Sequence, residues 1–288
     1  MPPWEKQILT LGDGTVLAEC GPMRMFIEAS RNGEIRPEAC RKAALEAVRF
    51  LEQVSRDLPS LRKPAIDAPE PRPGSLGHIM WQAARLVGDS DLTPLAAVAG
   101  TIADATADYL EDLGMTRIVV NNGGDLAIRL KGQERIYVGI RPDVRKATVS
   151  HRVLLTADMR IGGIATSGIG GRSLTRGIAS AATVFSRDAA RADAAATALA
   201  NATYVFDPAV IRVPAESLFP DTDLTGMNVT ASVGDLPDPT IEQALDQAVL
   251  RAEQLVGLDV IWGACVFVKE RMISTAGISR HVEAIASS

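Results

Sequence analysis

Residues 161–204 read IGGIATSGIGGRSLTRGIASAATVFSRDAARADAAATALANATY. The stretch predicts a glycine-rich loop, a strand and a helix over 189–202. On that helix Asp193 and Thr197 stand four apart, so both oxygens leave one face. A carboxylate, a hydroxyl and a nearby carbonyl are hard oxygen ligands that suit Mg²⁺. The rest of the helix is nearly all alanine, which lets another body come close. The plainer reading is a tightly packed alanine helix whose Asp193 caps or forms a salt bridge. Upstream, Ala165-Thr166-Ser167-Gly168-Ile169-Gly170-Gly171-Arg172 can cradle a phosphate on successive N–H groups. Arg172 and Arg176 are placed to pair with it. The loop lacks the lysine of a P-loop and the spacing of a dinucleotide fingerprint. A flexible surface turn is its competing reading.

Before this stretch, TRIVV predicts a strand running into Asn121-Asn122-Gly123-Gly124-Asp125. Two glycines after two asparagines turn the chain with positive φ and expose amides at the strand end. A plain hairpin turn satisfies the same residues. LAIRL, RIYVGI, RVLLTADMR and GGIATSG continue a strand-rich middle, and residues 15–29 give two strands around Gly21-Pro22. Pro37 opens a helix with Ala44, Val48, Leu51 and Val54 on one side. Five prolines make 57–74 a connector, and 76–87 is a helix. Thr93 is placed to cap, and Gly114 to close, an alanine-rich helix over 94–113. That helix serves the core or a homodimer interface. Asp104 and Asp108 share a face of it and read as a solvated edge. Thr240 and Gln243 form a capping box for the helix that follows, and LDVIWGACVFVKE is a late buried strand or strand pair. The sum is a single compact α+β domain over 1–288, with a mainly antiparallel sheet packed by helices.

The chain has 288 residues and a net charge of −5, which argues against a nucleic-acid partner. No apolar run is long enough for a membrane span. The N-terminal residues have no secretory pattern, and three scattered cysteines suit a reduced cytoplasm. Cys40 and Cys265 read as core filler. His78, His151 and His281 lie far apart and read as structural or exposed, and Ser167 has no identifiable base.

In order, NNGGD, ATSG and ADAAATALAN resemble the ApbE family, flavin transferases that act on FAD with Mg²⁺. Those proteins carry an Asn-x-Gly-Gly-Asp loop, a Thr-Ser-Gly loop and a late Ala-Asp-x-x-Ala-Thr-Ala helix. Over its length the chain is similar to a smaller bacterial family related to ApbE. The signatures are Ser-Leu-x-x-Gly-x-Ala-x-Ala-x-Thr-Val at 173–184 and LTGMNVTASVGDL at 224–236. The resemblance implies that Asp193 and Thr197 hold Mg²⁺ with a carbonyl near Ala165. It places Asn122, Gly123, Gly124, Asp125, Thr166, Ser167 and Gly168 around the nucleotide. It gives Asp193 a part in deprotonation, and it implies transfer of FMN to a threonine of a cytoplasmic acceptor protein or cleavage of the FAD diphosphate. One departure stands out. Where ApbE proteins carry His-Ile-x-Asp-Pro-x-x-Gly, this chain has SLTRGIASAATVFS, with neither histidine nor acid. Two alternatives therefore stand: a flavin- or nucleotide-binding module without turnover, and an enzyme using the same pocket for another small anionic ligand.

Overall fold

A computed structural model describes residues 6–171 and 173–285. The chain opens with β1 (Lys6–Thr10), β2 (Val16–Cys20), β3 (Met23–Arg31) and the short β4 (Glu34–Ile35). Helix α1 (Pro37–Leu61) begins on Pro37 and buries Ala44, Val48, Leu51 and Val54 on one stripe, as the spacing predicts. It runs through Pro59, so the connector starts after Leu61 rather than at residue 57. Proline at 59 removes the bond to the carbonyl four residues back, and the helix ends two residues beyond. Helix α2 (Leu76–Val87) is capped by Ser75, whose hydroxyl accepts the His78 N–H at 3.1 Å.

A 3₁₀ turn over Pro94–Ala97 leads into α3 (Val98–Asp112). Thr93 makes no cap; its hydroxyl donates to the Asp223 carboxylate instead. Helix α3 packs in the core, burying Gly100, Ile102, Ala103, Ala107 and Leu110. The middle follows as β5 (Arg117–Asn122), β6 (Asp125–Leu130), β7 (Arg135–Ile140), β8 (His151–Thr156), β9 (Gly163–Ser167) and β10 (Ala181–Ser186). Helix α4 (Ala189–Ala202) is capped by Asp188, which accepts the Arg191 N–H at 2.8 Å. Then come β11 (Val210–Pro214), α5 (Ala215–Leu218), β12 (Asn228–Val233) and α6 (Asp238–Gly257). The expected capping box is absent: α6 starts on Asp238, before Thr240, and the Thr240 hydroxyl turns to Asp207 at 3.3 Å. The chain closes with β13 (Gly263–Val268), β14 (Arg271–Ser274), α7 (Ala276–Ser279) and β15 (Val282–Ala284).

Ten strands form one antiparallel sheet in the order β1-β2-β3-β5-β6-β9-β10-β13-β14, with β4 on β3. Alternation sorts its residues between two cores. Ile118, Val120, Ala127, Ala165, Ala182 and Val184 face helices α1–α4 and α6. Ile128, Ile164, Phe185 and Phe267 face a second, three-stranded sheet ordered β15-β8-β7. Strands β11 and β12 form a separate hairpin. Helix α4 lies at the centre, with nine of its residues buried, and eight of those are alanine. All three cysteines are buried. Burial pushes the Cys40 thiol up to about 11 and that of Cys265 to about 12, which fits packing rather than reactivity. Among the described residues no helix is long and apolar enough to cross a membrane.

Candidate functional site

Two helices meet here almost without side chains between them. A Cβ on Gly100 would overlap the Ala189 carbonyl, so only glycine permits this approach of α3 to α4. Each helix N-terminus is then completed by an aspartate of the other. Asp193 on α4 accepts the Gly100 N–H at 2.9 Å, and Asp104 on α3 accepts the Ala190 N–H at 2.9 Å. First-turn amides have no intrahelical partner and carry partial positive charge, so carboxylates fit both places. Asp104 is therefore no solvated edge. It is buried, and Arg129 binds it at 3.0 Å while also reaching the exposed Asp108 at 2.7 Å. Close contact between α3 and α4 removed the solvent that a helix-face reading assigns to Asp104.

The two carboxylates differ in charge balance. Burial pushes Asp104 up to about 7 against the opposing pull of Arg129. Asp193 is raised well above the usual carboxylate range, first by burial and then by the charge of Asp125. The Gly100 and Ala99 N–H groups pull it down only in part. Asp193 thus caps a helix, as the plainer reading held, and also faces a second carboxylate.

Asp125 comes from the β5–β6 hairpin. Gly123 and Gly124 both take positive φ, 74° and 117°, and Gly124 N–H donates to Asn121 Oδ1 at 2.9 Å. The segment is a two-residue hairpin turn, and it also reaches the site. The buried Asn122 donates its amide to the Ala99 carbonyl at 3.2 Å, tying the turn to the start of α3.

A cavity of about 1240 Å³ opens beside these groups. Its wall includes Asn121, Asn122, Gly123, Gly124, Asp125, Thr166, Ser167, Asp193 and Thr197. Three stretches separated in sequence thus converge on one space. The Thr166 and Thr183 hydroxyls meet at 2.9 Å, and Ser167 meets Ser173 at 3.2 Å. Gly168 and Ala165 do not line the cavity. A Cβ on Gly168 would stand 2.6 Å from the Ser180 carbonyl, so backbone packing already accounts for that glycine. Ala165 is fully buried on β9, opposite Val184.

Arg172 lies outside the described residues. Arg176 lines the cavity, but its guanidinium is held by both Asp91 oxygens rather than left for a ligand anion. The sequence reading missed Asp91 and Asn201. Asn201 stands one turn past Thr197 on the same face of α4 and also lines the cavity. It accepts from Arg176 N–H at 2.9 Å and Thr175 Oγ1 at 3.2 Å. The four-residue step from Asp193 through Thr197 was the signal that could have found it. From the connector, Arg62 reaches the Asp221 carbonyl at 2.9 Å, and Leu58 in the last turn of α1 joins the cavity wall.

Six carboxylates and three arginines line the cavity. At the end where Asp125 and Asp193 stand, an anionic ligand entering alone would be repelled, whereas a cation or a cation–anion pair would be drawn in. Asp125, Asp193 and Thr197 fit a hard cation, because positive charge there offsets the burial and the Asp125 repulsion that raise Asp193. Among the described residues no group of three or more His, Cys, Asp or Glu is arranged to hold a metal. A cation at this place would rest on two carboxylates, neutral oxygens and the ligand's own oxygens. That is the pattern by which Mg²⁺ commonly meets phosphates.

The family described as AbpE bacteria matches residues 7–276. A UPF0280 protein of Archaeoglobus fulgidus is 37% identical over 131 residues, 44% of this chain and 50% of that one. Another, from Methanoculleus marisnigri, is 31% identical over 186 residues, 62% of this chain and 73% of that one. The chain thus spans about half the length of the first of these relatives. Among solved structures, the apo flavinyl transferase ApbE of Pseudomonas stutzeri superposes with a TM-score of 0.54. The match covers 98% of each chain at 16% identity and shows a shared fold, the single antiparallel α+β architecture expected from the sequence.

Proposed function

The chain belongs to the AbpE bacterial family, and from that premise we propose that it binds FAD with Mg²⁺ and transfers FMN to an acceptor protein. The observation that carries this reading is the juxtaposition of Asp193, Asp125 and Thr197 at the wall of one cavity. The likeness in fold to a flavinyl transferase supports it.

When bound, Mg²⁺ supplies charge neutralisation to the diphosphate and to the AMP that leaves. The chain's own part is placement and proton handling. Asp193, fixed by α3 amides, and Asp125, fixed by a tight turn, would hold the cation. Asn122, Gly123 and Gly124 shape the wall beside it, with Thr166 and Ser167 at the end of β9. In the transfer, an acceptor hydroxyl oxygen bonds to the FMN-side phosphorus as the bond from that phosphorus to the bridging oxygen breaks. AMP departs with that oxygen, and Asp193 takes the hydroxyl proton. Water in place of the acceptor gives diphosphate cleavage to FMN and AMP.

One observation favours the second reading, a flavin- or nucleotide-binding module without turnover. The segment that replaces His-Ile-x-Asp-Pro places at the cavity an arginine already neutralised by Asp91, and no base. An enzyme acting on another small anionic ligand is the third. Asp193→Ala tests the first: product formation is lost while circular dichroism shows an intact fold. A folded variant that still forms product would sink the assignment.

A further inference from the structure

The second sheet ends on an open edge beside the cavity. Strand β7 pairs with β8 on one side, and among the described residues its other side makes no backbone hydrogen bond. Ile136, Tyr137, Val138, Gly139 and Arg141 all line the cavity. Alternate side chains of a strand point to opposite faces. A nearly continuous run of residues therefore meets one cavity only where the cavity follows the strand's edge. Arg117 and Val119 of β5 and Glu28 of β3 line the same space. A further strand laid against β7 would extend the second sheet across β5 and β3.

The chemistry of that edge selects its occupant. A row of outward N–H and C=O groups is satisfied by an extended polypeptide, which offers the same groups at the same repeat. Charge narrows the class. Residues 131–160 contain seven Lys or Arg against three Asp or Glu, in a chain whose net charge is −5. Arg135 and Arg141 bracket β7, are exposed, and make no ion pair among the described residues. We propose that the free edge of β7 docks an extended, acidic segment of a partner protein as an added strand. Carboxylates about six residues apart on that segment, roughly 20 Å in extended chain, meet Arg135 and Arg141. The proposal goes beyond flavin chemistry and holds whether or not FMN is moved.

The test uses the full chain and a capped peptide, Asp-Val-Thr-Val-Thr-Val-Asp, with amide hydrogen exchange read residue by residue. Exchange slows at 135–141 and is unchanged at the β1 and β14 edges. The double variant Arg135→Glu, Arg141→Glu loses affinity for this peptide by about tenfold and gains affinity for its Lys-ended counterpart. No slowing at β7 with millimolar peptide overturns the proposal, as does slowing confined to β1 or β14. Protection of β7 that grows with protein concentration in the absence of peptide would give the edge to a second copy of the chain and overturn it equally.

Discussion

Asp104 and Asp193 occupy the same position on opposite sides of one helix contact. Each leaves its own helix to accept an N–H at the start of the other, at the same 2.9 Å. Their surroundings then diverge. Asp104 has Arg129, itself tied to Asp108, so its charge is answered within the protein. Asp193 has Asp125, so its charge is opposed. Two buried carboxylates with the same capping bond differ in whether the protein supplies their counter-charge. The one left opposed lies on a cavity, where a ligand can supply it.

The largest effect that would break this contrast is chemical. Asp193→Asn keeps the shape and a capping oxygen but loses the charge. It should weaken Mg²⁺-dependent FAD binding by roughly 100-fold or more, about 3 kcal/mol, as read by calorimetry. Asp104→Asn should leave that binding nearly unchanged.

Arg129→Ala acts on the other side. It leaves Asp104 buried without its cation, a loss of about 3 kcal/mol at pH 8 by denaturant titration. The loss should shrink at pH 5. Asp104 has a folded value of about 7, above its unfolded 3.8, so stability tied to its protonation is full below 3.8 and fades as pH rises through 7. An equal loss at both pH values would contradict the burial assigned to Asp104.

Gly100→Ala strikes both carboxylates together, because the added methyl drives Ala189 away and loosens both caps. Overpacking of this kind costs about 1–3 kcal/mol, and Mg²⁺ binding should weaken with it. Asp125→Asn sharpens the contrast from within. It removes the like charge facing Asp193, so the ligand-free protein becomes more stable at pH 8 while stabilisation by Mg²⁺ shrinks, both visible as shifts in Tm. In the unaltered chain, stabilisation by Mg²⁺ should grow as pH rises, because burial and the charge of Asp125 raise the Asp193 carboxyl and its proton competes with the cation. The smallest effect is expected for Asp108→Ala. Its side chain is 60% exposed, and its pair with Arg129 should be worth about 0.5 kcal/mol or less.

Much of this was legible from local pattern. The Asp193–Thr197 step, the Asn-Gly-Gly-Asp turn and the single antiparallel α+β domain follow from periodicity and turn chemistry, and the structure shows those elements. What was not legible depends on partners distant in sequence. Asp104 reads as a surface acid until α4 lies against it. Thr93 and Thr240 read as caps until Asp223 and Asp207 take their hydroxyls. Arg176 reads as an anion site until Asp91 arrives from 85 residues away. Side-chain oxygens satisfy helix ends or each other according to tertiary neighbours, and a single chain's local pattern does not contain those neighbours.

The most direct test of the central claim is a titration of FAD into the purified protein, with and without Mg²⁺, followed by chromatography of the flavin products. The expected result is tight binding only with Mg²⁺, and release of FMN and AMP when water replaces the acceptor. Binding of equal strength without Mg²⁺, or no binding of FAD at all, would contradict it.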